Sequence, residues 1–305
     1  MTIDGRHISE WGLRVADGTL SEWLKLPKRK TVAYNNWAES DGIEPDLSVV
    51  EWEETSFKLS FILSGANPTE YMSRFRSYLA FLSDKGSREV SYMGITRTLR
   101  YDQGNSYNGT PMIEQRRAWA ILSLTMKEEK PEIVEKYPYS DMRKLGQYAI
   151  NGIDLSEFGM GSERNDEDLM KYPGMKTPFT DGRSYDLSTV TTKHKEIKLS
   201  LWWICASVGE FIQNRMALLW QLSRPGTLSL YANSMGAYIS AYYTGCGSFS
   251  ADIYAGGRVA ATLSLGFTVP VVEWIDAGGT IRCRVLMDRG LGLIADENGS
   301  IIVFN

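Results

Sequence analysis

Two histidines, three cysteines and a cluster of glutamates are the side chains of this 305-residue chain best suited to chemistry. Their spacing assembles no familiar site. His7 and His194 lie far apart, and neither belongs to a His-Glu-x-x-His helix, whereas a catalytic base or metal ligand needs partners at defined reach. Cys205, Cys246 and Cys283 form an odd set with no close pair, which suggests neither a disulfide framework nor a zinc knuckle and predicts buried thiols. Glu51, Glu53 and Glu54 offer the carboxylates a glycosidase would need. A flanking surface strand explains them better. Gly290-Leu291-Gly292-Leu293-Ile294-Ala295 fits the loose dinucleotide pattern, but the short remainder of the chain leaves no room for the helix and second strand of such a site.

The nine tryptophans, Trp11, Trp23, Trp37, Trp52, Trp119, Trp202, Trp203, Trp220 and Trp274, could build a sugar-binding platform. Most of them fall on apolar faces or beside them, so the core is the expected place for most. Asn108-Gly109-Thr110 and Asn298-Gly299-Ser300 match glycosylation acceptors, yet without a signal peptide ahead they are expected to be turns. There is no Gly-x-Ser-x-Gly elbow and no Walker loop. The expectation is therefore a non-enzyme with no catalytic, cofactor-binding or metal-binding residues and no cofactor.

With 43% hydrophobic and 23% charged residues the chain has an ordinary globular composition, and its length suggests about two domains. A net charge of −4 gives no general attraction to nucleic acid or anionic lipid. The basic run from Lys25 to Lys30 is expected to be a solvated turn. No apolar run approaches the ~18 residues a membrane helix needs, and the opening lacks a secretory signature, which predicts a soluble protein made in a cytoplasm.

The elements that must position these residues come twice. Ile3-Asp4-Gly5-Arg6-His7-Ile8-Ser9-Glu10-Trp11-Gly12 returns as Ile150-Asn151-Gly152-Ile153-Asp154-Leu155-Ser156-Glu157-Phe158-Gly159. Asp41-Gly42 recurs as Asp181-Gly182, Lys58-Leu59-Ser60 as Lys198-Leu199-Ser200, and Leu82-Ser83 as Leu222-Ser223, at a constant offset of 140 positions. Glu51, Glu53 and Glu54 then correspond to Thr191, Lys193 and His194, which keep no carboxylate. Such internal periodicity predicts a tandem duplication. Alternation at Phe57, Leu59, Phe61 and Leu63, and at Ile197, Leu199, Leu201 and Trp203, predicts a strand with one buried face in each copy. Asn67-Pro68-Thr69-Glu70 and Ser207-Val208-Gly209-Glu210 then open a capped helix, running to about Ser83 and Ser223. Tyr71, Phe75, Tyr78, Leu79 and Leu82 form the apolar stripe of the first helix, and Phe211, Leu218, Leu219 and Leu222 that of the second.

Ser21-Glu22-Trp23-Leu24 suits a single helical turn with its tryptophan inward, and Asn165 to Met170 holds the same place in the second copy. The domain boundaries expected are 1–127 for the first copy, 128–149 for a charged, proline-punctuated linker, 150–270 for the second copy and 271–305 for a C-terminal β extension. In that extension Asn298-Gly299 favours a terminal hairpin.

The opening at Ile150 to Ser156, followed by strand, capped helix, Leu222-Ser223-Arg224-Pro225-Gly226 and closing strands, resembles the N-terminal domain of distal tail proteins of long-tailed bacteriophages. The resemblance covers residues 1 to about 127 and 150 to about 270. It implies a mainly β, α+β chain of two tail-tube-like sandwich or barrel domains, each with one packed helix. It implies a structural part of a phage or prophage tail, as a distal tail, hub or tube-adaptor ring, in the virion tail and assembled in the bacterial host cytoplasm. Its partners would be copies of itself, as a trimer or hexamer, and other tail proteins, with DNA passing through the lumen without specific binding and no membrane contact. The chain departs from the family in carrying two tube-like copies and no recognisable receptor-binding region. The alternative from the residues alone is a carbohydrate-binding module with two tandem sites.

Overall fold

Alternating side chains dominate the long strands, and the computed structural model shows what they build. It describes residues 1–83, 86–102, 107–108, 118–139, 147–162, 169, 171, 173–176, 191–233, 236–276, 281–284, 286–287, 294–295 and 301–302. Seven strands form the body of the first sheet: β1 (Thr2–Ile3), β2 (Arg6–His7), β3 (Leu13–Val15), β4 (Thr55–Gly65), β5 (Ser87–Tyr92), β6 (Ile95–Tyr101) and β7 (Ala118–Glu128). Seven more form the body of the second: β8 (Tyr148–Ile150), β9 (Ile153–Asp154), β10 (Met160–Ser162), β11 (Lys195–Cys205), β12 (Leu228–Ala232), β13 (Ala237–Ile253) and β14 (Val259–Val269). The first runs in the order β2-β1-β5-β6-β7-β4-β3 and the second β9-β8-β12-β13-β14-β11-β10, so each strand finds its equivalent seven labels on. The pairings in both are antiparallel, and the protein is mostly β with few helices.

Local chemistry explains the repeated pieces. Asp4-Gly5 and Asn151-Gly152 take positive φ at both positions, 49° and 76° and then 51° and 80°, the combination that folds two strands back on each other. The side chains of Asp4 and Asn151 each accept the backbone N–H of an equivalent strand residue, Glu89 and Ser229. β4 buries Phe57, Leu59, Phe61 and Leu63, and β11 buries Ile197, Leu199, Leu201 and Trp203, as the alternation requires. Helix α1 (Thr19–Leu24) buries Trp23 completely. Its counterpart around Asn165 lies outside the described residues except for Leu169, which is buried.

Helices α2 (Pro68–Ser83) and α3 (Val208–Leu222) start where the sequence caps them. Asn67 Oδ1 accepts the N–H of Glu70 at 2.9 Å while the Glu70 carboxylate accepts that of Ala66 at 2.7 Å. Ser207 Oγ and Glu210 do the same for Glu210 and Ala206. Each reciprocal pair satisfies two backbone donors that the first helical turn leaves free.

The two sheets share one hydrophobic cluster rather than keeping separate cores. Segment 27–47 of the first half lies on the second: Arg29 N donates to Thr244 O, Ile43 N to Pro270 O, and Gly226 N to Leu47 O. Gly42, at φ 67°, approaches so closely that a Cβ there would sit 1.8 Å from Pro270 O, which only glycine avoids. Strand β7 runs on to Glu128 and β8 begins at Tyr148, so both ends of the expected linker belong to sheets. Residues 137–139 lie on α3, where Tyr139 N donates to Asn214 Oδ1 and Gln213 Nε2 to Tyr137 O. Beyond β14, Glu273–Asp276 joins β13 and pairs with Ile281–Arg284. Ile294–Ala295 pairs with Ile301–Ile302, the hairpin expected across Asn298-Gly299, whose turn lies outside the described residues.

One expectation fails. Leu79 and Leu219 occupy equivalent places, yet Leu219 is 3% exposed and Leu79 46%. The reason is the neighbour. α3 is covered on a second side by the first half and the 131–139 strap, whereas nothing in the described chain covers the same side of α2. Leu219→Ala should therefore cost ~2 to 5 kcal/mol in urea unfolding, and Leu79→Ala under about 0.5 kcal/mol. Equal losses at the two sites would refute this account of their surroundings.

Candidate functional site

The junction between the two sheets brings charged and aromatic side chains together. A cleft of about 430 Å³ opens there, lined by Lys28, Lys30, Tyr34, Glu53, His194 and Glu196 among others. Its floor is strand β13, where the register against β14 slips between Tyr243 and Gly245 and again between Cys246 and Phe249. Bulges of this kind bend a strand and re-aim its side chains.

The basic run predicted as a solvated turn is only partly so. Lys28 and Lys30 are exposed and pair with Glu53 at 3.6 Å and Glu51 at 2.9 Å. Arg29 between them is 4% exposed, with its guanidinium 5.6 Å from the ring centroid of Tyr242 and donating to Val49 O. Burial lowers its pKa, although Tyr242 acts in the other direction. The alternation of an extended segment turns neighbouring side chains in opposite directions, so a run of like charges need not be solvated throughout.

Glu54 pairs with Arg100 at 3.1 Å and with Lys127 at 3.0 Å. All three carboxylates considered for glycoside chemistry thus have separate basic partners, and Glu53 and Glu54 line one cleft of about 470 Å³ together with Glu22. The hydrogen bond and charge of Lys30 hold the Glu51 carboxyl below its usual range, opposite to what a general acid requires. His7 caps the turn Ile8–Trp11, its Nδ1 accepting the N–H of Ser9, and Asp154 does the same for Ser156 in the second half. His194 stands with its ring 6.1 Å from that of Tyr34.

Of the thiols, Cys205 is buried and Cys246 partly so, while the side chain of Cys283 lies outside the described residues. Burial raises the Cys246 pKa to about 11. The tryptophans divide. Trp11, Trp23 and Trp203 are buried, but Trp37, Trp119 and Trp202 are exposed, with Trp119 and Trp202 on the outer faces of β7 and β11. The glycine-rich dinucleotide-like match lies mostly outside the described residues, apart from the Ile294–Ala295 strand. Among the described residues no group of three or more His, Cys, Asp or Glu could hold a metal, and no helix is long and apolar enough to cross a membrane.

Sequence reasoning missed a buried ionic cluster deeper in the same junction. Arg97 donates to Glu128 at 2.6 Å and to Trp23 O at 3.1 Å, with its guanidinium 5.1 Å and 4.7 Å from the rings of Trp23 and Phe57. Arg215 of α3 donates through Nε to Leu24 O at 2.7 Å and through Nη2 to Lys25 O at 2.8 Å. Burial, reinforced by the charge of Arg97, lowers the Arg215 pKa to about 9. The signal was present in the sequence: Arg215 interrupts an apolar stripe at the place where α2 has Phe75.

No protein-family model and no curated protein matches the chain. Among solved structures it is similar to the crystal structure of the SPP1 Dit (gp 19.1) protein, a paradigm of hub adsorption apparatus in Gram-positive infecting phages. Identity is 10%, the match covers 88% of this chain and 96% of that one, and the TM-score is 0.32.

Two outcomes follow from the cluster and the thiol. Glu128→Gln should cost ~3 to 5 kcal/mol because it strands a buried guanidinium, while Arg97→Met with Glu128→Leu should recover most of that loss in urea unfolding. Cys246 should react with a thiol reagent at pH 7.5 at least ~100-fold more slowly than a free cysteine, since its raised pKa leaves little thiolate, and should speed up on denaturation. Fast native alkylation mapped to Cys246 by mass spectrometry would contradict that assignment.

Proposed function

We infer that this chain is a non-enzymatic structural component of a phage or prophage tail, in which two tandem copies of one tube-like domain contribute to a ring around the DNA channel. The observation that carries it is the repeated strand order, with a capped helix after the fourth strand of each sheet. That is the arrangement the resemblance of Ile150 to Ser156 and Leu222 to Gly226 to distal tail proteins implies. The charged groups at the junction support it as well. Glu51, Glu53 and Glu54 face Lys30, Lys28, Arg100 and Lys127, which suits a fixed scaffold more than a reacting centre. The domains are 1–127 and 150–270, with 271–305 as an extension.

A net negative chain also suits a wall past which DNA must slide, because retention of DNA depends on cations neutralising its phosphates. Two copies in each chain let three chains supply six positions of a ring, with closure set by the rotation between neighbours. Electron microscopy of purified protein and of assembled tails tests this: annular particles, and density for this chain on the tube axis, are expected. A location off the axis, or absence from the tail, would overturn the reading.

A further inference from the structure

Helices α2 and α3 are equivalent in their sheets and unequal in their surroundings. Between Glu210 and Ser223 every residue of α3 is buried or half-buried. One side meets its own sheet. The other meets the first half, where Arg215, Met216 and Leu219 share a cavity of about 230 Å³ with Gly94 to Arg97 of the β5–β6 hairpin. Ile212 belongs to the same contact, its Cδ1 lying 3.6 Å from where a Cβ on Gly94 would stand. At the constant offset, Ile212 and Leu219 correspond to Met72 and Leu79, which are 42% and 46% exposed. Arg76, in the place of Met216, is exposed too.

We propose that this bare face of α2, centred on Met72 and Leu79, is the docking surface for the second half of another copy of this chain, which covers α2 as the first half covers α3. The occupant is argued from the chain itself, since a contact of this class already exists within it. The first half docks on α3 through Gly94 to Arg97 at the start of β6; the second half has the equivalent strand β13, whose start from Ala237 to Ile239 also pairs with Glu273–Asp276.

The strand registers identify the residues that correspond. Val90 pairs with Arg97 as Leu230 pairs with Ile239, and Thr55 pairs with Glu128 as Lys195 pairs with Val269. Arg97, Glu128 and Arg215 of the internal junction are thus replaced together by Ile239, Val269 and Phe75. The external junction exchanges every member of an ionic cluster for an apolar residue, so it strands no charge. A mixed replacement would have buried one ion alone, at a cost that forbids docking. Among the described residues the 131–139 strap has no second copy, and Phe75 stands on α2 in the place of the Arg215 guanidinium that grips Leu24 and Lys25. The contact between chains is accordingly the weaker of the two.

Because this contact joins different surfaces of successive copies, it is heterologous and adds chains in sequence. The inference rests on the tandem-copy reading above and deepens it. The test is sedimentation velocity of the full chain from micromolar to about 1 mM, comparing wild type with Met72→Glu/Leu79→Glu. Both side chains are solvent-exposed in the single chain, so circular dichroism and the unfolding midpoint of the dilute variant should match wild type. Wild type should associate with rising concentration, and the variant should do so at least ~100-fold more weakly. Leu79→Arg, at the centre of the patch, should weaken association in the same direction.

Association that persists undiminished in these variants would overturn this interface and leave a ring built through another face standing. Wild type that remains monomeric at about 1 mM would also overturn it, while tail imaging still decides the ring. Open fibres abolished by the substitutions would uphold the interface and refute ring closure.

Discussion

A guanidinium inside a protein must find acceptors, and the placement of Arg215 is the constraint on which the joining of the two sheets depends. It is 3% exposed and reaches the carbonyls of Leu24 and Lys25, which the end of the short helix α1 leaves without helical partners. Hydrogen bonds to charged groups are among the stronger ones, and a buried charge without them is costly. Arg97 and Glu128 stand beside it, so two cations and a carboxylate must be satisfied at once. The apolar cluster supplies the general attraction, and the ionic cluster adds hydrogen bonds across the junction.

That arrangement makes equivalent elements unequal. β4 and β11 bury the same alternate positions, and α2 and α3 begin with the same reciprocal cap. Segment 27–47 and the 131–139 strap nevertheless belong to one side only. They cover the second sheet and α3, and they leave α2 open. Two like helix faces are present, and the described chain covers only one of them.

The same segment explains the fate of the chemistry-bearing residues. The chain around residues 50 to 55 runs beside the extended Lys28 to Lys30 segment and the strands carrying Arg100 and Lys127, so acid and base that are distant in sequence meet pairwise. Exposed pairs of this kind contribute little stability each. Their consequence is that each of these carboxylates has a basic partner of its own, including Glu53 and Glu54, which line one cleft.

Local structure is legible in the residues alone. Alternation in Phe57 to Leu63 marks a strand and its inner face, Asn67 and Ser207 with a glutamate three residues on mark helix starts, and Asp4-Gly5 and Asn151-Gly152 mark tight turns. Each rests on forces acting within a few residues, so neighbours in sequence suffice to read it. Packing between distant segments settles what those forces do not reach. Leu79 and Leu219 are the same residue on equivalent helices, and only the presence of another surface separates an exposed leucine from a buried one. Arg29 lies inside a basic run and is buried, because the ring of Tyr242 waits more than two hundred residues later. Arg215 breaks an apolar stripe and could have been read as a helix face turning to solvent, until carbonyls from the other half are placed against it. Burial and charge pairing are properties of the whole packed chain, since desolvation depends on every atom that closes over a group, wherever in the sequence it comes from.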